Sequence, residues 1–429
     1  MRRKIFSDLI EWKNSKGRMP LLLNGARQVG KTYIINEFGK QNYDNVVYIN
    51  FENNDLVSNF IGSDIRPKHI IEYIETTENV QIKPEKTLLF FDEIPANSRA
   101  LTALKYFCED TPQYHIVAAG SLLGVAVNRS NYSFPVGKVN ELYLYPLDFE
   151  EFLWALGREN LAVEIRRHYA RNEEFPLHSF ALEFYKKYLV TGGMPAVVKN
   201  YAETESFAQT ANYQTDIYND YIADMAKYAT PATSVKIRAC YNSIPAQLAK
   251  ENYKFQYKMV QKGGTATIFG ESIEWLNFAS IVLKCQKITQ GEIPIAVYSY
   301  FPDFKLYMAD VGMLTLKSQI PASILLAKDN EANTFLGAFT ENYVAQAFTA
   351  NKKSLFYWKN DNSGEVDFVL QEDINVIPVE VKRGINTRSR SLTMFMKQYR
   401  CPYGIRISQK NFGFENNIKS VPLYAVFCV

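Results

Sequence analysis

The sequence is poor in the residues that would announce a special compartment or scaffold. Its 429 residues include 5 cysteines, Cys108, Cys240, Cys285, Cys401 and Cys428, with no CxxC pair and no regular spacing. That excludes a disulfide framework and fits reduced thiols in a cytoplasmic protein. The 4 histidines, His69, His115, His168 and His178, show no metal-ligand spacing, so a structural zinc site is not expected. The longest mostly apolar stretch, "IVAAGSLLGVAV", has 12 residues, short of the roughly 18–20 that cross a bilayer, and no membrane partner is expected. The opening "MRRKIFSDLIEWKNSKGR" has basic residues but a broken apolar run, so a signal peptide is not expected either. One-signed charge is missing too: 48 Lys and Arg against 45 Asp and Glu leave +3. Any nucleic-acid surface would have to be a local patch. There is no internal repeat, coiled coil or low-complexity segment.

What is present is core-forming material. Hydrophobic residues make up 47% and charged residues 22%, the balance of a globular chain. With 28 Tyr and 28 Phe, large buried areas are expected rather than disorder. The length implies two to four domains.

The first 150 residues alternate short apolar runs with helical patterns. The runs "MPLLLNG", "NVVYINFE", "TLLFFDEI", "QYHIVAAGS" and "VNELYLYPL" lack polar alternation, as strands buried on both faces do. They predict a parallel sheet covered by helices. From about 150 to 230 the pattern is helical and charged, punctuated by a turn at "GGMP". Next, "NSIPAQLAKENY" and "ESIEWLNFASIVLKCQKI" read as two helices around a Gly-rich break, followed by an apolar ribbon, "IPIAVYSYFPDFKLYMADVGML". Helix, turn, helix and strand pair is the outline of a winged helix. A last unit begins near 333 with the helix "TFLGAFTENYVAQAFTANK", then the strands "SLFYWKN", "GEVDFVLQ" and "NVIPVEVKRG".

"GARQVGKT", residues 25–32, meets every fixed position of G-x-x-x-x-G-K-[ST] between an apolar strand and a helix. Gly25 and Gly30 let the loop curl, so that the N–H groups along Ala26, Arg27, Gln28 and Val29 can face phosphates at the positive end of the next helix. Lys31 would reach the β- and γ-phosphates of ATP, and the Thr32 hydroxyl would ligate Mg²⁺. "TLLFFDEI" ends in Asp92 and Glu93: Asp92 would hold the Mg²⁺ shell and Glu93 would polarise the attacking water. The plain alternative is a buried strand followed by an acidic turn. Ser121, ending "HIVAAGS", is a candidate γ-phosphate sensor or an ordinary turn residue. Arg129 and Lys138 are candidates for a charge-stabilising finger, or solvated surface charges.

"GARQVGKT", "LLFFDEI", "AAGSLLG", "FPVGKVNELYLYPLDFEEFL", "GGMPAVV", "IPAQLAKEN", "FKLYMADVGML" and "GEVDFVL…PVEVKRG" occur in that order. Together they resemble the prokaryotic AAA-type ATPases fused to a C-terminal domain of unknown function with a PD-(D/E)xK nuclease-like core. The resemblance covers nearly the whole chain. It implies an ATPase of the additional-strand catalytic-Glu class, with nucleotide contacts at Gly25, Gly30, Lys31 and Thr32 and Walker B positions at Asp92 and Glu93. Some relatives carry Arg where this chain has Lys138, which weakens a finger assignment there. The expected architecture is α/β: an AAA-type P-loop ATPase sheet at 1–150, a helical lid or linker at 151–232, a winged-helix-like domain at 233–325, and a PD-(D/E)xK-like domain at 326–429. AAA modules often complete their sites with a neighbour's arginine, so a homo-oligomer is a candidate state.

"GEVDFVLQEDINVIPVEVKRG", residues 364–384, sets Asp367 in one apolar run and Glu380 and Lys382 in another. Residues two apart on a strand share a face, so Glu380 and Lys382 point the same way. Asp367 can oppose them across a hairpin at "QEDIN". Two carboxylates can hold Mg²⁺ while the lysine orients a water or steadies phosphorane charge. The resemblance adds Glu341, on the preceding helix, as a further acid. The alternative is an Asp367–Lys382 ion pair with Glu380 facing solvent. Pro378, lacking a ladder donor, suits a first or edge position. Arg383, Arg388, Arg390, Lys397 and Arg400 could contact DNA or RNA phosphates or form an ordinary solvated face.

Overall fold

Apolar strands that bury both faces need helices on either side, and the N-terminal part of the chain meets that need. The computed structural model describes residues 1–121, 135–250, 254–327, 335–360, 364–384 and 390–429. Arg129 and Arg388 lie outside the described residues. The chain divides into two units, residues 2–145 with 278–280, and residues 146–277 with 281–429.

In the first unit β1 (Leu21–Asn24), β2 (Asn45–Asn50), β3 (Thr87–Asp92), β4 (His115–Ala119) and β5 (Asn140–Tyr143) form a sheet in the order β2-β3-β4-β1-β5. All its neighbours run parallel. The inner strands β1, β3 and β4 are buried at every residue, whereas the edge strands alternate with solvent. Leu22, Ile49, Leu89, Phe91, Ile116 and Ala118 form a core with residues of the helices Asp55–Ser63, Pro67–Glu78 and Ser98–Asp110. Burial of that apolar surface contributes roughly 25 cal/mol per Å² and is the main force holding this layer. The register pairs Leu23 with Ala119 and Asn50 with Asp92, so β1, β3 and β4 end along one rim.

The second unit begins with helices, including Phe149–Ala155, His178–Thr191, Pro195–Thr204 and Phe207–Lys227. The "GGMP" turn packs on Asp310, whose carboxylate accepts the Gly193 N–H at 2.6 Å and the Met313 N–H at 3.1 Å. Asp310 thereby caps the helix Val311–Ser318.

The expected helix at "ESIEWLNFASIVLKCQKI" ends early. It stops at Phe278, Ser280 takes a left-handed backbone at φ 58°, and β6 (Val282–Ile288) follows. The run of Ile, Val and Leu prefers the pleated, half-buried surface that β7 (Ser299–Met308) offers. The strand pair is therefore β6 with β7, antiparallel, rather than a pair within the later ribbon. β6 also pairs in parallel with β8 (Phe356–Asn360), giving the order β7-β6-β8-β9, where β9 is Gly364–Val366.

The last sheet, β10 (Phe368–Glu372), β11 (Asn375–Val381), β12 (Gly404–Ser408), β13 (Gly413–Glu415) and β14 (Ile418–Pro422), has the order β10-β11-β12-β14-β13. β10 and β11 form the expected hairpin, antiparallel about Asp373 and Ile374. Pro378 departs from expectation: it is buried in an inner strand, opposite Val369, neither first nor at an edge. Parallel pairing to β12 begins one residue later, at Val379, just past the missing N–H.

Candidate functional site

The rim where β1, β3 and β4 end collects the N-terminal candidates. Gly25 has φ 142°, and a Cβ there would meet the Leu144 carbonyl oxygen at 2.2 Å, so only glycine fits. Gly30 takes φ 93° at the start of the helix Lys31–Asn42, and Gln28 is left-handed at φ 66°. These turns wrap the loop over the helix N-terminus, where backbone N–H groups can bind an anion. The buried Lys31 ammonium donates to the Gly25 carbonyl at 2.9 Å and the Ala26 carbonyl at 2.8 Å.

Thr32 Oγ1 donates to Asp92 Oδ2 at 2.8 Å, joining the two oxygens that the sequence assigns to a metal. Tyr48, on β2, donates to the same Oδ2 at 3.1 Å. Glu93 follows in a left-handed turn at φ 48°. Its carboxylate accepts from the Ser121 N–H and from Ser121 Oγ, each at 3.2 Å. Burial pushes the Glu93 carboxyl above its usual range, partly opposed by Lys31 and reinforced by Asp92. Gly120 permits this approach, since a Cβ there would come within 2.3 Å of Pro95. Lys138 is ion-paired to Glu109 at 3.0 Å. Tyr48 was not legible in the sequence, because a tyrosine in an edge strand reads as ordinary packing.

The second cluster lies in the second unit. Asp367 sits at the break between β9 and β10, and its Oδ2 accepts the Val381 N–H at 2.7 Å. Glu380 is buried rather than facing solvent, and Lys382 pairs with its Oε1 at 2.5 Å. Glu380 Oε2 is buried with no hydrogen-bond partner. Glu341, on the helix Phe335–Ala350, accepts from Lys305 at 2.7 Å and from the Tyr307 hydroxyl.

Lys305 was missed. It is fully buried on β7, also pairs with Glu365 at 2.6 Å, and lies 4.9 Å from the centre of the Tyr357 ring. Burial opposes its charge, yet Glu341, Glu365 and Asp367 outweigh that and hold the ammonium well above its usual range. Lys359 pairs with Glu365 from the other side at 2.9 Å. Asp367 keeps some exposed surface, but its carboxyl is desolvated and sits near Glu341 and Glu380, which pushes it well above the usual carboxylate range. The available signal for Lys305 was a lysine inside the apolar run "FKLYM".

Among the described residues, no three His, Cys, Asp or Glu side chains converge as a metal-holding group, and no helix is long and apolar enough to cross a membrane.

Residues 17–153 match the family described as an AAA domain. Residues 182–323 and 336–426 match two domains of unknown function, DUF8612 and DUF4143. No curated protein matches the chain. Among solved structures, the Walker-type ATPase PABY2304 of Pyrococcus abyssi is 15% identical over 75% of this chain and 96% of that chain, with a TM-score of 0.46. The ORC1 protein of Aeropyrum pernix, in complex with DNA, is 11% identical over 76% and 93%, with a TM-score of 0.29. AMPPCP-bound DnaA of Aquifex aeolicus is 10% identical over 63% and 86%, with a TM-score of 0.29. The parallel sheet, the complete phosphate loop at its rim and the matching family together make the N-terminal part of this chain an AAA-type ATPase domain.

Proposed function

We propose that the chain hydrolyses ATP with Mg²⁺ and uses its nucleotide state as a switch acting on the C-terminal domain. The observation that carries the ATPase reading is the Thr32–Asp92 pair, 2.8 Å apart beside a loop that already holds Lys31. Two hard oxygen donors at the mouth of a phosphate loop suit Mg²⁺. The ion would neutralise phosphate charge there. Loop N–H groups from Gly25 to Thr32 would hold the β- and γ-phosphates, with Lys31 turning from the loop carbonyls to meet them. Glu93 would orient the attacking water and take its proton, and Ser121 fixes the carboxylate from β4. The test is Mg²⁺-dependent ATP turnover by the full chain: activity lost in Lys31→Ala and Glu93→Gln supports the reading, and unchanged activity in both removes it.

For the C-terminal domain, the layout of a helix bearing Glu341, a strand break at Asp367, Glu380 on β11 and Lys382 one residue past its end supports the PD-(D/E)xK-like reading. Exposed Arg390, Lys397 and Arg400 make DNA or RNA the partner class this region favours. Binding is preferred to cutting because a buried lysine already occupies the acid set. The winged-helix-like segment is read as a packing element, since its β6 shares a sheet with β8. The switch reading expects nucleotide-dependent DNA or RNA retention without nicking, in Mg²⁺ or Mn²⁺. Nicking that Asp367→Ala abolishes would restore the nuclease.

A further inference from the structure

A metal-dependent acid centre needs carboxylate oxygens left over for the ion. In this centre most of them are taken. Glu341 is held by Lys305 at 2.7 Å, Glu365 by Lys305 at 2.6 Å and Lys359 at 2.9 Å, and Glu380 by Lys382 at 2.5 Å. Asp367 is held by the Val381 N–H. Three ammonium groups thus face three glutamates, and the most central of them is fully buried. Glu380 Oε2 has no partner, and the second oxygens of Glu341 and Asp367 lie outside these contacts, but among the described residues no three carboxylates converge as a metal-holding group. The donor set does not fit a bound Mg²⁺.

We propose that the Lys305 ammonium is the built-in cation of this acid centre, standing where a metal-dependent relative would hold a divalent ion. The lysine comes from β7, within residues 182–323, and its acids come from residues 336–426. The cluster therefore joins the two matched regions through charge-assisted hydrogen bonds in place of metal bonds. A buried ion pair is costly to break from one side, because the partner charge is left uncompensated. The arrangement keeps Lys305 in the centre and divalent ions out. This inference is independent of the ATPase reading.

The test is Mn²⁺ binding to the full chain without nucleotide, followed by electron paramagnetic resonance. In the native chain, Asp367→Asn and Glu380→Gln leave the number of bound Mn²⁺ ions unchanged, because neither carboxylate serves one. Lys305→Met opens a new Mn²⁺ site, at least about tenfold tighter than any this centre shows before the change, which Asp367→Asn then removes. Lys305→Arg, which restores a cation, closes that site again. A native Mn²⁺ ion that disappears in Asp367→Asn would overturn the proposal, as would a Lys305→Met chain that folds and gains no site. Should Lys305→Met not fold, the native and Asp367→Asn comparison decides alone: unchanged Mn²⁺ supports the proposal and a lost ion rejects it.

Discussion

Thr32 Oγ1 donates to Asp92 Oδ2 across 2.8 Å, so the first helical turn after the phosphate loop is tied to the end of β3. Thr32 and Asp92 are 60 residues apart in sequence. Their meeting ties two separate sequence signals into one site.

Disrupting that pair should stop turnover while leaving the fold intact, because both side chains lie at the rim. Thr32→Val and Asp92→Asn are each expected to lower Mg²⁺-dependent ATP hydrolysis by about 100-fold or more. Lys31→Ala should abolish hydrolysis and also weaken ATP binding, measured by fluorescent-nucleotide titration.

Glu93 is expected to act on the chemical step rather than on binding. Glu93→Gln should keep ATP affinity and lower turnover by roughly 10²- to 10⁴-fold. Burial raises the Glu93 carboxyl, and a base must be deprotonated to accept a proton. Turnover should therefore fall on acidification at a higher pH than for an ordinary glutamate, and the pH–rate profile checks it.

Asp310 gives a stability prediction with a definite sign. Burial lifts its carboxyl from 3.8 to about 6 despite the N–H donors of Gly193 and Met313. The folded chain then binds this proton more tightly than the unfolded chain. The group's contribution is full below about pH 4 and is lost as pH rises through about 6, on the order of 3 kcal/mol in all. Asp310→Asn must turn its NH₂ toward the N–H of either Gly193 or Met313, and it removes the titration. It should cost about 1–3 kcal/mol, and its stability gap from the native chain should narrow between pH 4 and 6 in urea unfolding.

Gly193 sits against the Leu147 carbonyl oxygen, which a Cβ would approach to 2.0 Å. The contact is backbone on both sides and cannot yield by rotating a side chain. Gly193→Ala should destabilise the second unit by about 3 kcal/mol or more, seen as a lower urea midpoint.

The phosphate loop and the acids beside it were legible because their signals are local. Eight consecutive residues carry the phosphate loop, and a strand of apolar residues ends in Asp92-Glu93. The strand order was not legible, since neighbours such as β1 and β4 are set by packing of the intervening helices. Short apolar runs also mislead locally, as at "SIVLKCQKI", where periodicity alone cannot tell a buried helix from a buried strand.

The acid centre divides the same way. Asp367, Glu380 and Lys382 could be read from strand alternation and one hairpin, and the structure pairs Glu380, on β11, with Lys382 just past its end. Lys305 pairs with Glu341, 36 residues away, and with Glu365 from yet another strand. No sequence period links them. By itself, then, the sequence determined the phosphate loop, the strand-ending acids and the two-residue spacing of Glu380 and Lys382, because backbone geometry over a few residues dictates them. Only the tertiary structure decided which charge fills the acid centre. A buried charge is set by whatever long-range packing brings beside it, and here packing brings an ammonium from β7.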